Sequence, residues 1–267
     1  MYNKIHGGDI MKSEENNKNT FKKVVFWVSF AIFLVGLACI LFLLFNTYLF
    51  PKEYKPTPVV TSNVSSESEL PDNPINFSAE VLKYPDIYAW IEIPNTKINY
   101  PVVQSPTDDG YYLNHNAEKQ YTKAGAIYSE MRNSKDFSDP NTVLYGHNLL
   151  NGTMFRDLHK FRNDETFWNE NKYIYIYIPG HILTYEICSA YRYDNRHILN
   201  SFNFRDPEVF EEYLQTVKNP KSLICRTREI STELNKNSKI LTLSTCISNP
   251  AYRYLVQGVL IKDEPTK

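Results

Sequence analysis

The chain has 267 residues, of which 42% are hydrophobic, 14% aromatic and 22% charged, and its formal net charge is −1. A balance so near zero offers no electrostatic footprint for nucleic acid, and 9 Gly and 15 Pro among so many aromatics exclude a fibrous or disordered protein. Four cysteines are too few for a dense disulfide scaffold, which leaves a globular protein of one domain with appendages, or two small domains.

Residues 1–23 form a polar tail, with Lys22 and Lys23 directly before an uncharged run, Val24–Phe45. At ~1.5 Å per residue that run spans ~33 Å as a helix, enough for a ~30 Å hydrocarbon core. A cleaved signal peptide has an apolar core of only ~7–15 residues ending in small residues, whereas this run continues through Asn46 to Phe50. Residues 24–50 therefore read as an uncleaved single-pass signal anchor. Lysines flanking a span stay inside, so the expected topology is a cytoplasmic N-terminus and an extracellular C-terminal part. Setting aside the five lysines and three carboxylates of the tail leaves 24 basic and 27 acidic residues, which is no polybasic lipid-binding surface.

Residues 51–76 are rich in Pro, Ser, Glu and Asn and bury too little to offset ordering entropy, so they read as a linker. A short helix is expected over Phe77–Tyr84, opening a folded domain at 77–267. Strands follow at Tyr88–Ile93, which stops at Pro94, at Lys97–Gln104, and at Thr142–Tyr145, which ends at Gly146. Tyr173–Ile178 breaks at Pro179-Gly180 and His181–Tyr193 continues, a predicted hairpin. The last strands are Lys239–Thr245 and Arg253–Ile261. Two helices interrupt them: Thr153–Phe161, and Asp206–Lys218, where Asp206 is the expected N-cap, Pro207 the first helical residue, and Val209, Phe210, Tyr213, Leu214 and Val217 an apolar stripe. This pattern predicts a mainly β, barrel-like domain with peripheral helices.

Beyond the anchor lie Cys188, Cys225 and Cys246, an odd number that leaves at least one thiol unpaired. A disulfide between Cys188 and Cys225 is open on spacing alone, and Cys188 within a strand reads as buried and inert. Cys246 ends Thr242-Leu243-Ser244-Thr245-Cys246 and precedes a polar turn, Ser248-Asn249-Pro250, a position suited to an accessible nucleophile or equally to a structural strand cap. Metal binding is disfavoured, since there is no C-x₂-C, no histidine pair at i, i+4 and no acidic cluster; no organic cofactor is called for either. His115, His159, His181 and His197 read as surface or satisfied core residues. His147 projects from the end of a short buried strand after Tyr145-Gly146. Arg253 opens the last strand seven residues after Cys246, close enough for the turn to return its guanidinium beside the thiol.

Tyr145-Gly146-His147, Thr242-Leu243-Ser244-Thr245-Cys246 and Arg253 opening a terminal strand resemble the His, TLxTC and Arg motifs of the sortases, transpeptidases on the outside of Gram-positive bacteria. The resemblance extends over roughly 77–261, through Trp90–Pro94 and Ile98–Gln104. It is particularly similar to class B sortases at 127–133, at Gly152-Thr153-Met154-Phe155 and in the helix at 206–218. It implies an eight-stranded sortase β-barrel without a cofactor. In it Cys246 attacks the Thr carbonyl of a C-terminal sorting signal (NPxTx or S/NPxTG-like) on a secreted protein and forms a thioester. His147 exchanges protons with the departing and incoming amines, the latter from peptidoglycan, and Arg253 holds the substrate backbone and oxyanion. Ser244 and Thr245 shape the oxyanion site. An ordinary thiol, with a pKa of ~8.5, is only about 3% thiolate at pH 7, so such chemistry needs a partner for Cys246.

Two other readings stand beside this one. An exported cysteine peptidase would only hydrolyse, though papain-like enzymes place Cys before His in the chain, the reverse of the order here. A tethered, non-catalytic β-domain would leave the unpaired thiol, the strand-end His and the returning Arg as coincidences.

Overall fold

The computed structural model describes residues 6–49 and 70–267, with side chains for 21–45 and 70–267. The chain divides into two compact units, Met1–Pro51 and Lys52–Lys267. The first contains one helix, α1 (His6–Leu49), which continues the polar tail directly into the apolar run. Within it Phe21–Phe45, 25 residues of mean hydropathy 2.9, is long and apolar enough to cross a membrane. Residues 50–69, most of the expected linker, lie outside the described residues. The remainder of that linker is part of the folded domain. The Asn73 side chain donates to the Ile178 carbonyl at 2.9 Å and to Thr266 Oγ1 at 3.2 Å, and Ile75 packs with Phe77 and Trp90. Pairing across about a hundred residues makes this segment ordered, and its own composition contains no sign of that.

The second unit opens with α2 (Phe77–Lys83), capped by Asn76, whose side chain accepts from the Ala79 N–H. Nine strands follow: β1 (Ile87–Glu92), β2 (Asn99–Val103), β3 (Ile127–Tyr128), β4 (Asn141–Gly146), β5 (Tyr173–Ile178), β6 (His181–Asp194), β7 (Cys225–Thr227), β8 (Ile240–Cys246) and β9 (Tyr252–Pro265). Their order is β5-β1-β2-β3-β4-β8-β9-β6-β7, and β5 also pairs with β6. That last pairing closes eight strands into a barrel, with β7 a three-residue strand hung on the edge of β6. The β5–β6 hairpin falls where the Pro179-Gly180 pair places it, with Gly180 at φ 80°. Most neighbours are antiparallel; β2–β3 and β4–β8 are parallel.

The helix expected at 153–161 is instead a 3₁₀ turn, Arg156–His159, running into α3 (Lys160–Asn163), and α4 (Glu165–Glu170) follows. Leu158 and Phe161 are fully buried, so the apolar spacing serves both the tight turn and the helix after it. α5 (Ile198–Ser201) precedes α6 (Pro207–Lys218), where the Asp206 side chain accepts from the Glu208 N–H, Pro207 stands at N1, and Phe210, Tyr213, Leu214 and Val217 are buried.

Two apolar layers explain why the strands read as nearly continuous hydrophobic runs. Inside the barrel lie Ile91, Val102, Leu144, Phe155, Phe161, Ile176, Tyr185, Leu243 and Val256. Outside it, under α6, lie Val143, Tyr191, Leu214, Ile240, Leu255 and Val259. Each fully buried aliphatic or aromatic side chain contributes roughly 1.5–3 kcal/mol. Val143 and Leu144 are adjacent, yet they belong to opposite layers. Strand alternation thus assigns the outer face of β4, β8 and β9 to Asn141, Val143, Tyr145, then Thr242, Ser244, Cys246, then Gln257, Leu255 and Arg253.

Candidate active site

The outer-face stripe reaches solvent at one end. β8 and β9 are antiparallel with Cys246 directly opposite Arg253, so the two side chains leave the same face of the sheet. β4 and β8 are parallel, and their last pair is Gly146 with Thr245. His147 therefore emerges one residue beyond the ladder, beside Cys246, at a strand spacing of about 4.8 Å. Cys246 is exposed and His147 and Arg253 are half-buried. Sequence separations of 99 and 7 residues collapse into one corner.

Each group is held by the backbone around it. His147 Nε2 donates to the Leu113 carbonyl at 2.7 Å; a carbonyl can only accept, so this nitrogen bears the hydrogen and Nδ1 is the free one. Leu113 ends a 3₁₀ turn, Tyr111–Leu113, which is anchored by Tyr112, whose hydroxyl donates to Asp86 Oδ2 at 2.7 Å. Burial works against ionised Asp86, but hydrogen bonds from Lys119 and Tyr112 outweigh it and hold the carboxyl below its usual range. Gly125 packs against this turn at φ 61°, and a Cβ there would lie 2.6 Å from the Tyr112 oxygen and 2.7 Å from the Leu113 oxygen. Gly146 has the same kind of role next to His147: a Cβ would meet Ile127 Cδ1 at 2.5 Å and Phe155 Cδ2 at 2.7 Å.

Arg253 Nη1 donates to the carbonyls of Pro250 and Tyr252, 3.1 and 3.0 Å away, which ties the guanidinium over the turn that follows Cys246. Tyr128 stacks on Tyr145 with centroids 5.4 Å apart. Burial pushes the Tyr128 phenol up to about 12, with Glu130, Cys246 and Asp109 adding to the rise and Arg253 opposing it, so it is a neutral donor beside the site at physiological pH.

The two residues expected to shape the oxyanion site separate. Ser244 shares the face of Cys246, one step back, buried between Tyr145 and Leu255 in the ladders. Thr245 points the other way, and its hydroxyl donates to the Gly146 carbonyl at 2.7 Å, locking the ends of β4 and β8 together. Strand alternation leaves its hydroxyl no path to the outer face.

The histidines read as surface or satisfied residues divide too. His181 pairs with Asp263, His197 with Glu130, and His115 stacks on Tyr111. His159 belongs at the site. It stacks on Tyr254 at 5.0 Å, and its Nε2 donates to the Cys246 carbonyl at 3.3 Å. Desolvation lowers its pKa, Arg156 and Arg162 push the same way, and the bond to Cys246 opposes them. Asn148 donates to the same carbonyl at 2.9 Å. Neither was marked by sequence, because a mid-turn histidine and an asparagine after a strand are common surface residues. The MFxxLH spacing, which puts His159 one residue past buried Leu158, was the available clue.

Cys188 is buried and its thiol is pushed up to about 12 by desolvation. Cys225 lies opposite Tyr191, three residues along β6, and both thiols are free. Among the described residues no group of three or more His, Cys, Asp and Glu gathers to hold a metal ion.

Comparison with known proteins gives a consistent result. The sortase-domain family model matches residues 91–261. Sortase B of Listeria monocytogenes is 33% identical over 181 residues, 66% of this chain and 70% of that protein. The solved structure of Clostridium perfringens sortase B superposes with a TM-score of 0.63 at 35% identity, covering 70% of this chain and all of that one. A Staphylococcus aureus sortase B solved as a substrate complex gives 0.62 at 27% identity, covering 72% of this chain and 87% of that one.

Proposed function

The chain belongs to the sortase family and is a class B-type transpeptidase, and from that premise we propose that Cys246, His147 and Arg253 carry its reaction. The observation that supports this most is the register: Cys246 faces Arg253 across β8 and β9, with His147 one residue past the Gly146–Thr245 pair. Its substrate is the C-terminal sorting signal of a secreted protein, of NPxTx or S/NPxTG type, and its acceptor an amine of cell-wall peptidoglycan.

In the first half-reaction Cys246 Sγ bonds to the carbonyl carbon of the signal's Thr while its proton passes to His147 Nδ1, the nitrogen that Leu113 does not engage. The carbonyl oxygen becomes an oxyanion. Arg253 Nε and Nη2, which have no acceptor among the described residues, face the substrate and stabilise that charge while Nη1 keeps the guanidinium in place. When the C–N bond breaks, His147 returns the proton to the departing amine and a thioester remains. In the second half the acceptor amine attacks the thioester, His147 takes its proton, and as the C–S bond breaks His147 passes that proton to the leaving sulfur, restoring the thiol. Ser244 supports Cys246 from one step back on the same face, and Thr245 keeps the strand ends in register. No cofactor enters. The segment 24–50 anchors the enzyme in the membrane, with 1–23 cytoplasmic and the domain at 77–267 outside, where secreted proteins and wall precursors meet.

The test uses the full chain in detergent micelles with a panel of signal peptides and an amine. Intact-mass analysis is expected to find an acyl adduct on Cys246, and product analysis cleavage after Thr with transfer to the amine. Release to water only, whatever amine is supplied, would mean a peptidase. A folded protein with a reactive thiol that forms no adduct with any peptide would mean a binding domain.

A further inference from the structure

The most heavily held group at the site is the main-chain carbonyl of Cys246. The β4–β8 ladder stops at Gly146 and Thr245, so no ladder pair joins His147 to Cys246; β9 holds Cys246 only from its other side, through Arg253. Strand separation past a last ladder pair is free to vary unless other groups bridge it. Two side chains take over where the ladder stops. Asn148 Nδ2 donates to the Cys246 oxygen at 2.9 Å and His159 Nε2 to the same oxygen at 3.3 Å. Neither donor is loose. Arg156 Nη1 donates to Asn148 Oδ1 at 3.0 Å, which fixes the amide so that its NH₂ faces Cys246. The His159 ring lies on Tyr254, a fully buried side chain of β9.

Arg156 and His159 bound the same 3₁₀ turn, and that turn is tied back to β4 by the Phe155 N–H, which donates to the His147 carbonyl at 2.8 Å. One compact loop, 147–159, thus carries the imidazole at its start and both halves of a grip on the nucleophile's backbone. The same loop therefore sets the positions of both partners in proton transfer.

We propose that Asn148 and His159 are positioning residues that clamp the Cys246 carbonyl and so hold the nucleophile against His147 for the transpeptidase reaction. This rests on the reading of Cys246 as the nucleophile. A planar peptide moves as a unit, so pinning the carbonyl fixes the orientation of the Cys246–Ile247 peptide and with it the approach of Cys246 to its partner. A misplacement of about 1 Å costs up to a hundredfold in rate. The clamp needs neither residue to touch substrate.

The experiment compares full-length wild type with Asn148→Ala, His159→Phe and His159→Gln in detergent. Phe keeps a flat ring for Tyr254 and removes the donor; Gln places an N–H donor the same number of bonds from the main chain as His159 Nε2. Two rates are read: kcat and KM on the signal peptide that wild type turns over, and alkylation of Cys246 by iodoacetamide, followed on its own peptide so that Cys225 does not contribute. Expected is a fall in kcat and in alkylation of about three- to tenfold for Asn148→Ala and for His159→Phe, with KM within twofold and recovery of most of the rate in His159→Gln. Wild-type rates in both donor-less variants would overturn the clamp and leave the transpeptidase standing. So would losses that follow the unfolded fraction in thermal melts without recovery in His159→Gln. If wild type turns over no peptide while the variants still alkylate more slowly, the clamp stands and the transpeptidase reading fails.

Discussion

At the start of the β4–β8 pair, Asn141, Thr242, Gln257 and Tyr213 close a ring of hydrogen bonds out of solvent; at its finish, Asn148, His159 and Arg156 hold one carbonyl within reach of water. The first set joins β4 and β8 to β9 and α6; the second comes from the segment that follows β4 and reaches the last residue of β8. In the ring, Thr242 donates to Asn141 at 2.8 Å, Gln257 donates to Thr242 at 2.8 Å and to Tyr213 at 2.7 Å, and Asn141 closes the circuit on Tyr213 at 3.4 Å. Gln257 also accepts from Tyr191 at 2.9 Å and Ser189 at 3.4 Å. All four ring members are at most 2% exposed, and burial pushes the Tyr213 phenol up to about 12. Such a network specifies register, because a slip of one residue would strand several buried donors. The far end is thus anchored by groups that are fully satisfied internally. The near end presents Cys246 and Arg253, whose remaining valences point outward. Fixing the register at the buried end delivers His147, six residues along from Asn141, and Cys246, four along from Thr242, together at the exposed end, roughly 13–20 Å away.

Substitutions at the near end should have the largest effects. Cys246→Ala and His147→Ala should each reduce turnover more than about a thousandfold while thermal melts stay within a few degrees of wild type, and Arg253→Ala should cost on the order of a hundredfold. A large drop in melting temperature in Cys246→Ala would contradict the division between the two ends.

The far end should behave inversely. Gln257→Leu removes the donor to Tyr213 and Thr242 and the acceptor of Tyr191, and is expected to lower stability by about 3 kcal/mol in denaturant titration, with activity per folded molecule within about twofold. Per-molecule loss of tenfold or more would mean that the ring acts on the chemistry as well.

Gly125→Ala lies between the extremes. It strains a positive φ, costing roughly 1 kcal/mol, and drives a methyl group into the carbonyl that orients His147. A stability loss of about 2 kcal/mol is expected, with a separate fall of about tenfold in kcat measured on the folded protein.

The smallest effect concerns Asp86, beneath the same turn. Its folded carboxyl is held below its ordinary value, so its ion pair stabilises the fold above the unfolded pKa of ~3.9, and this is lost as pH falls through the lower folded value. Lys119 is 46% exposed, so the contribution is at most about 1 kcal/mol. Asp86→Asn should flatten the acid limb of the stability profile below about pH 4, where the native carboxyl stays ionised after the unfolded one has protonated, and leave stability at pH 7 lower by no more than that amount.

Much of the domain was legible in one dimension. The Tyr-Ile alternation of 173–178 with Pro179-Gly180 marks a hairpin, and Asp206-Pro207 before a 3.6-residue stripe marks α6, because those signals are written in adjacent residues. β3 and β7, two and three residues long, carry no period to detect, and α5 is a single turn. Cys246, His147 and Arg253 were each visible as strand-end residues of the right chemistry, and the motif order singled them out. What sequence could not supply was their juncture. The partnership of β4 with β8 joins residues about a hundred positions apart and is decided by buried groups at the opposite end of both strands. For the same reason the opposed directions of Ser244 and Thr245, the recruitment of Asn148 and His159 to one carbonyl, and the packing of 71–76 onto the domain exist only once the barrel has closed. Local periodicity determines which residues can form a strand or a helix; only packing in three dimensions determines which strand lies next to which, and that adjacency brings the candidate site residues together.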